Sequence, residues 1–107
     1  MLDVTIDRKT WYRGQGDAHS MLLLHNGKRC CIGFLCQAMG IPDEQLLELK
    51  TMEVVDGPRA AHFHASHNST LIEAYMTNDE IKTREIDREI DIVRIGKLMD
   101  VNFTFIN

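Results

Sequence analysis

Two groups of side chains in this sequence have the residue types to hold a metal ion: Cys30-Cys31-x4-Cys36, and His62-x-His64-x-x-His67. Zinc takes tetrahedral Cys and His ligands, but structural zinc sites usually present Cys-x-x-Cys pairs that aim two thiolates from one tight turn. Cys-Cys-x4-Cys lacks that spacing. The histidines fit better, because alternate residues of an extended segment face the same way and can share one ion. The competing reading is a polar, His-rich surface loop that binds nickel or zinc only weakly.

Cys31 is also a candidate nucleophile. It falls near a helix start and beside Lys28 and Arg29, where dipole and charge would lower a thiol pKa, with His25 across a turn as a base. Against this, free cysteine is among the most buried residue types and usually acts as a small hydrophobe. A third group, Trp11-Tyr12-Arg13 followed by Gly14 and Gly16, offers stacking and bidentate contacts to a ligand. Gly-x-Gly alone is weak evidence for a phosphate loop, and a lone Trp is more often a core anchor. The candidate binding residues are therefore Trp11, Arg13, Lys28, Arg29 and Cys31. A fourth group, from Lys82 through Arg84, Glu85, Asp87, Arg88, Glu89 and Asp91 to Arg94, mixes charge signs at helical spacing. That pattern fits a solvated helix face or a partner surface equally well.

The elements that must position these groups are readable in outline. Val4 and Ile6 alternate with polar neighbours as a first strand, after which Asp7 caps a helical turn carrying Trp11 inward and stopping at Gly14. Residues 15–20 read as a polar loop. Asn26-Gly27 between the apolar stretches 21–24 and 28–32 predicts a type I′ hairpin, whose alternation sends Cys30 and Cys31 to opposite faces if both are still in the strand. Ile32, Leu35, Cys36 and Met39 predict a helix ended by Gly40-Ile41-Pro42, and Pro42-Asp43-Glu44 opens a short helix carrying Leu46, Leu47 and Leu49.

Between residues 51 and 69 the pattern fades to a brief strand at Val54-Val55, a turn at Asp56-Gly57-Pro58 and the His-rich stretch. Thr70 and Glu73 can cap a helix through Met76, with residues 77–80 interrupting it. The longest helix is predicted over 83–99, with Ile86, Ile90 and Val93 on one face and Ile92, Ile95 and Met99 widening it. Asp100 ends it in a left-handed conformation, and Val101, Phe103 and Phe105 form a last strand. The expected fold class is α+β, a small antiparallel sheet made of the N-terminal strand, the Asn-Gly hairpin and the C-terminal strand, with helices packed on one face.

Composition bounds what such a fold can do. At 107 residues the chain is read as a single domain, 1–107, and its 44% hydrophobic and 26% charged residues are ordinary for a globular protein. No apolar run approaches the roughly 20 residues of a membrane span, and the N-terminal residues do not look like a signal peptide. With three cysteines, two of them adjacent, reduced thiols are expected, so the sequence predicts a cytoplasmic protein without membrane contact. The net charge of -4 and the scatter of Lys and Arg disfavour direct nucleic-acid binding.

Trp11-x-Arg13-Gly14, Ser20-x-Leu22-Leu23, Gly27-Lys28-x-Cys30-Cys31-x-Gly33 with Gly40 seven residues on, and Asn78-Asp79 ahead of a terminal helix and strand resemble an uncharacterised family of small phage, prophage and bacterial proteins. The resemblance spans most of the chain outside residues 51–69. Relatives tend to carry Gly where this chain has Asp100. It implies a phage and host setting, in the bacterial cytoplasm, and no reaction.

No constellation joins a nucleophile, a base and an electrostatic stabiliser, so the expectation is a non-enzymatic accessory protein without a cofactor. It would bind a host or phage protein and inhibit a host defence or housekeeping complex, its acidic charge suiting a basic partner groove. The alternative is a small metal- or thiol-dependent module centred on Cys30, Cys31, Cys36, His62, His64 and His67. An exposed edge on the last strand would allow a homodimer.

Overall fold

A computed structural model describes residues 1–13, 21–80 and 84–107 of the chain. The expected helix stop at Gly14, the loop over 15–20 and the positions of Lys82 and Thr83 lie outside the described residues. The main elements run in the order β1 (Leu2–Asp7), α1 (Cys31–Ala38), α2 (Pro58–Asp79), α3 (Glu85–Leu98) and β2 (Val101–Ile106), with short 3-10 turns at Asp43–Gln45 and Met52–Val54.

The first and last strands form the sheet, and they do so in parallel, with Leu2 opposite Val101, Val4 opposite Phe103 and Ile6 opposite Phe105. This corrects the expected antiparallel arrangement. Alternating burial identifies a strand and its inner face but carries no information about the direction of its partner. A parallel pair needs a crossover connection, and here nearly the whole chain serves as that connection. Val4, Ile6, Val101 and Phe103 are buried, whereas Asp3, Thr5 and Thr104 face outward. The helices cover the inner face, as the alternation requires: α1 rests on β1, α3 on β2, and α2 packs across both helices.

The Asn26-Gly27 segment reverses the chain but contributes no strand to the sheet. Leu24 N–H donates to the Lys28 carbonyl at 2.8 Å and Gly27 N–H to the Leu24 carbonyl at 3.0 Å, closing a tight turn. Gly27 has φ +85°, whereas Asn26 is not in the left-handed region, so the type I′ geometry with two positive φ angles does not form. The flanking residues instead make single parallel bridges to other segments, Arg29 to Trp11 and Leu23 to Leu47. Cys30 and Cys31 consequently leave the alternating pattern before it can separate them, and both are buried.

Helix α1 ends as its sequence dictates. Gly40 adopts φ +84°, with its N–H on the Gln37 carbonyl at 3.0 Å and the Ile41 N–H on the Cys36 carbonyl at 3.1 Å. These two bonds satisfy carbonyls that a helix terminus otherwise leaves open. Gly33 serves close packing instead. A Cβ there would lie 2.0 Å from the Leu22 carbonyl oxygen, so only glycine lets α1 seat on the backbone of that segment. Asp100 occupies the left-handed region at φ 60°, as expected, and turns α3 directly into β2.

Helix α2 is the largest departure from expectation. It begins at Pro58, continues through the His-rich stretch and ends at Asp79, with non-helical angles at His67 (φ -132°, ψ 24°) marking a kink. Neither a strand at Val54-Val55 nor a helix break at residues 77–79 forms. The inward positions Ala60, Phe63, His67, Leu71, Ala74 and Asn78 do recur at helical spacing, but two are polar and two are alanine, which hid the stripe. In α3 the buried stripe is Arg88, Ile92 and Ile95 with Met99 beyond it, whereas Ile86 and Ile90 are exposed. No helix among the described residues is long and apolar enough to cross a membrane.

Candidate binding cleft

The turn at Asn26-Gly27 aims the residues that follow it. Asn26 Oδ1 accepts the Lys28 N–H at 3.0 Å, which orders the exit of the turn. Arg29 then bridges the Thr10–Tyr12 segment from both sides, its N–H on the Thr10 carbonyl at 3.0 Å and its carbonyl accepting the Tyr12 N–H at 2.9 Å. That pairing sets Lys28 beside Trp11, Tyr12 and Arg13. With Glu85 from the first turn of α3, these residues line a cleft of about 390 Å³.

Asn78 fixes the cleft from behind. It is fully buried, and its Oδ1 accepts the Trp11 indole N–H at 2.8 Å and the Cys31 N–H at 3.0 Å. Its Nδ2 donates to the Tyr12 carbonyl at 3.0 Å and to Asp79 Oδ1 at 3.0 Å. Cys30, which precedes α1, provides no side-chain cap, so the first N–H of that helix is capped across space from α2. The buried Arg88 completes the arrangement by donating to the carbonyls of Asn78 and Glu80. A cation there suits the C-terminal end of α2, where the carbonyls carry partial negative charge. Sequence reasoning missed both residues. Asn78 read as a helix breaker and Arg88 as a member of a solvated face, because a polar residue on an inner stripe looks like an interruption of it.

Charge and stacking give the cleft its chemistry. The Arg13 guanidinium lies over the Trp11 ring at 4.6 Å from its centroid, and Nη1 stands 3.4 Å from Glu85 Oε2. The same Glu85 oxygen is 3.4 Å from Arg88 Nε, so one carboxylate serves two guanidinium groups at long range. Trp11 is otherwise a core residue, 3% exposed and packed against Phe105 at 4.9 Å between ring centroids. The core-anchor reading therefore holds for the indole, while its position still lets it line the cleft.

The other expected binding residues are elsewhere. Arg29 is buried, its guanidinium paired with Asp43 at 3.3 and 3.4 Å and lying over Phe34, so it joins the turn to the 3-10 turn after α1. Cys31 heads α1 as expected for a dipole-activated thiol, but burial outweighs the dipole. Desolvation pushes Cys30 up to about 11 and Cys36 up to about 12, and raises Cys31 well above its ordinary value. A thiol in that state is a poor nucleophile near neutral pH. His25, the expected base, is exposed and bound to Glu48 Oε1 at 2.6 Å.

The metal set is not assembled either. Cys30, Cys31 and Cys36 are in the core, whereas His62, His64 and His67 lie along α2, where helical rotation turns His62 and His64 to different sides. His62 is exposed, and His67 packs on Phe63 at 4.6 Å between ring centroids. Among the described residues, no group of three or more His, Cys, Asp or Glu side chains is placed to hold a metal ion. Comparison with family models, with curated proteins and with solved structures finds no match to this chain.

Proposed function

We propose that this protein acts by binding another protein, with the cleft of Trp11, Tyr12, Arg13 and Lys28 as the centre of its contact surface, and not by catalysis. One observation carries the reading: the three thiols are sealed in the core, while Tyr12, Arg13 and Lys28 stand at an open cleft over the buried Trp11. Tyr and Arg are among the residue types enriched at the energetic centres of protein interfaces. The Trp11–Tyr12 backbone is held by Arg29 on one side and Asn78 on the other, so little ordering remains to be done on binding.

The resemblance of the Gly27-Lys28-x-Cys30-Cys31-x-Gly33 block to phage and prophage proteins supports an accessory role in a bacterial host, directed at a host or phage protein. Within that block Gly33 and the two cysteines serve packing, so it characterises a fold and not a reaction. Lys28 is the block's contribution to the cleft.

The test is affinity capture from infected or prophage-bearing cells, comparing the native chain with an Arg13→Ala/Lys28→Ala variant whose circular dichroism and melting are unchanged. A stoichiometric protein recovered by the native chain and lost by the variant supports the reading. Failure to recover any stoichiometric partner across several hosts refutes it, and equal recovery by the variant moves the contact surface away from the cleft.

A further inference from the structure

The cleft holds two cations against one carboxylate, and that carboxylate is poorly engaged. Arg13 meets Glu85 at 3.4 Å, well beyond the roughly 2.7–2.9 Å of a strong charge-assisted hydrogen bond, whereas Arg8 and Glu89 close to 2.6 Å elsewhere in the molecule. Glu85 is held back by its equal distance of 3.4 Å to the buried Arg88. Of its several N–H donors, Arg13 engages Nη1 alone, at long range, among the described residues. Lys28 makes no ion pair among the described residues. The Arg13 guanidinium carbon lies 4.6 Å from the Trp11 ring centroid, so the cation rests on the indole before any ligand arrives.

We infer that the cleft is a carboxylate-recognition site, and that the ligand is an acidic segment of a polypeptide whose Asp or Glu side chain bridges Arg13 and Lys28. The inference rests on the protein-binding reading and names the chemistry of the partner. The internal Glu85 contact demonstrates that a carboxylate reaches Arg13 in this setting. An incoming one, free of Arg88, can approach at full hydrogen-bonding distance and bidentately. Lys28, on the neighbouring segment, supplies the second cation of that bridge. Tyr12 supplies an aromatic wall for an apolar neighbour in the ligand. A polyphosphate strand is the poorer match, because the cleft offers two cations, not a track of them.

The sequence contains a single tryptophan, Trp11, which makes its emission a direct reporter of the cleft. The experiment titrates the full chain with a hexaglutamate peptide lacking aromatic residues, reading Trp11 fluorescence and calorimetry, with hexalysine, inorganic phosphate and a thymidine oligonucleotide as comparison probes. Expected is saturable one-to-one binding of hexaglutamate, weakened about tenfold or more by Arg13→Gln and by Lys28→Gln. Lys50→Gln, an exposed cation outside the cleft, leaves binding unchanged. Glu85→Gln strengthens it, because the competing internal carboxylate is neutralised, a gain that a merely structural role for Glu85 would not produce. No perturbation by hexaglutamate, equal loss in Lys50→Gln, or tighter binding of the oligonucleotide or phosphate overturns the inference. If a captured protein partner depends on Arg13 and Lys28 but is not displaced by hexaglutamate, acidic recognition fails while the protein-binding reading stands. If hexaglutamate binds as expected and capture recovers no partner, the reverse holds.

Discussion

Replacing Asn78 with leucine should cost more stability than any exposed substitution in the molecule. The side chain is fully buried and its carboxamide oxygen takes two buried donors, the Trp11 indole N–H at 2.8 Å and the Cys31 N–H at 3.0 Å. Leucine has the same branched side-chain skeleton, so no cavity opens and the main loss is that of stranded polar groups. Each buried donor left without a partner costs about 1–3 kcal/mol, giving roughly 2–6 kcal/mol for the pair. At about 4 °C per kcal/mol for a domain of this size, the melting temperature falls by roughly 8–24 °C. Urea titration at pH 7 followed by Trp11 fluorescence and circular dichroism measures it. Asn102→Ala, which removes an exposed 3.0 Å bond to Asp3, provides the scale and should change stability by less than about 0.5 kcal/mol. A double-mutant cycle sharpens the test. Trp11→Phe removes one of the two stranded donors, so Asn78→Leu should cost about 1–3 kcal/mol less in that background, read by circular dichroism because Trp11 is the single tryptophan. An Asn78→Leu midpoint equal to that of Asn102→Ala, or strict additivity in the cycle, would refute the claim that Asn78 holds these segments together.

Alkaline pH should destabilise the fold. The folded thiols of Cys30 and Cys36 are raised from 9.0 to about 11 and about 12, so their contribution is complete below about pH 9 and is lost as pH climbs toward the folded values. Two thiols at about 1.4 kcal/mol per pH unit give a loss of about 3 kcal/mol by about pH 10, and a urea midpoint that is flat between about pH 8.5 and 10 would contradict it. For the same reason all three cysteines should react with a thiol reagent only as fast as the protein opens, and a stoichiometric burst in native buffer would restore a reactive thiol. Gly33→Ala places a Cβ 2.0 Å from the Leu22 carbonyl oxygen and should cost about 1–3 kcal/mol or more, measurable by thermal melting; an unchanged melting temperature would show that α1 can move off that backbone. Asp100→Gly should stabilise by about 0.5–1 kcal/mol because φ 60° is strained for a residue with a Cβ, and a fall in stability would assign more weight to the 3.8 Å contact between Asp100 and the N-terminal amine.

The parts of the fold that were legible in the sequence are those set by local rules. The alternation of Val4 and Ile6 and of Val101 and Phe103 marked two strands and their buried face, and Gly40 and Asp100 marked two helix ends. What stayed hidden depends on contacts distant in sequence. The direction of β2 relative to β1 is decided by how α3 turns at Asp100, not by either strand. The inner stripe of α2 passes through His67 and Asn78, and Asn78 is tolerated there only because Trp11, Tyr12 and Cys31 answer its carboxamide from elsewhere in the chain. Within the candidate site, Trp11, Arg13 and Lys28 were legible as residue types that bind. That they converge follows from the bridge between Trp11 and Arg29, which no periodicity reports. Arg29 and Cys31 were misplaced for the complementary reason: their neighbours in sequence suggested exposure, and their neighbours in space bury them.

The pairing of β1 with β2 also constrains when the molecule can become itself. Leu2 waits for Val101, so a chain emerging from the ribosome carries its first strand, with Val4 and Ile6 uncovered, through almost the whole of this span's synthesis. Closing that span costs about 4 kcal/mol in the length-dependent part of the loop entropy, recovered only when both strands dock under α1 and α3. The helical layer can gather beforehand, but the sheet cannot. Removal of Val101–Ile106 would thus take away half of the sheet and leave the opposite end of the chain without its partner.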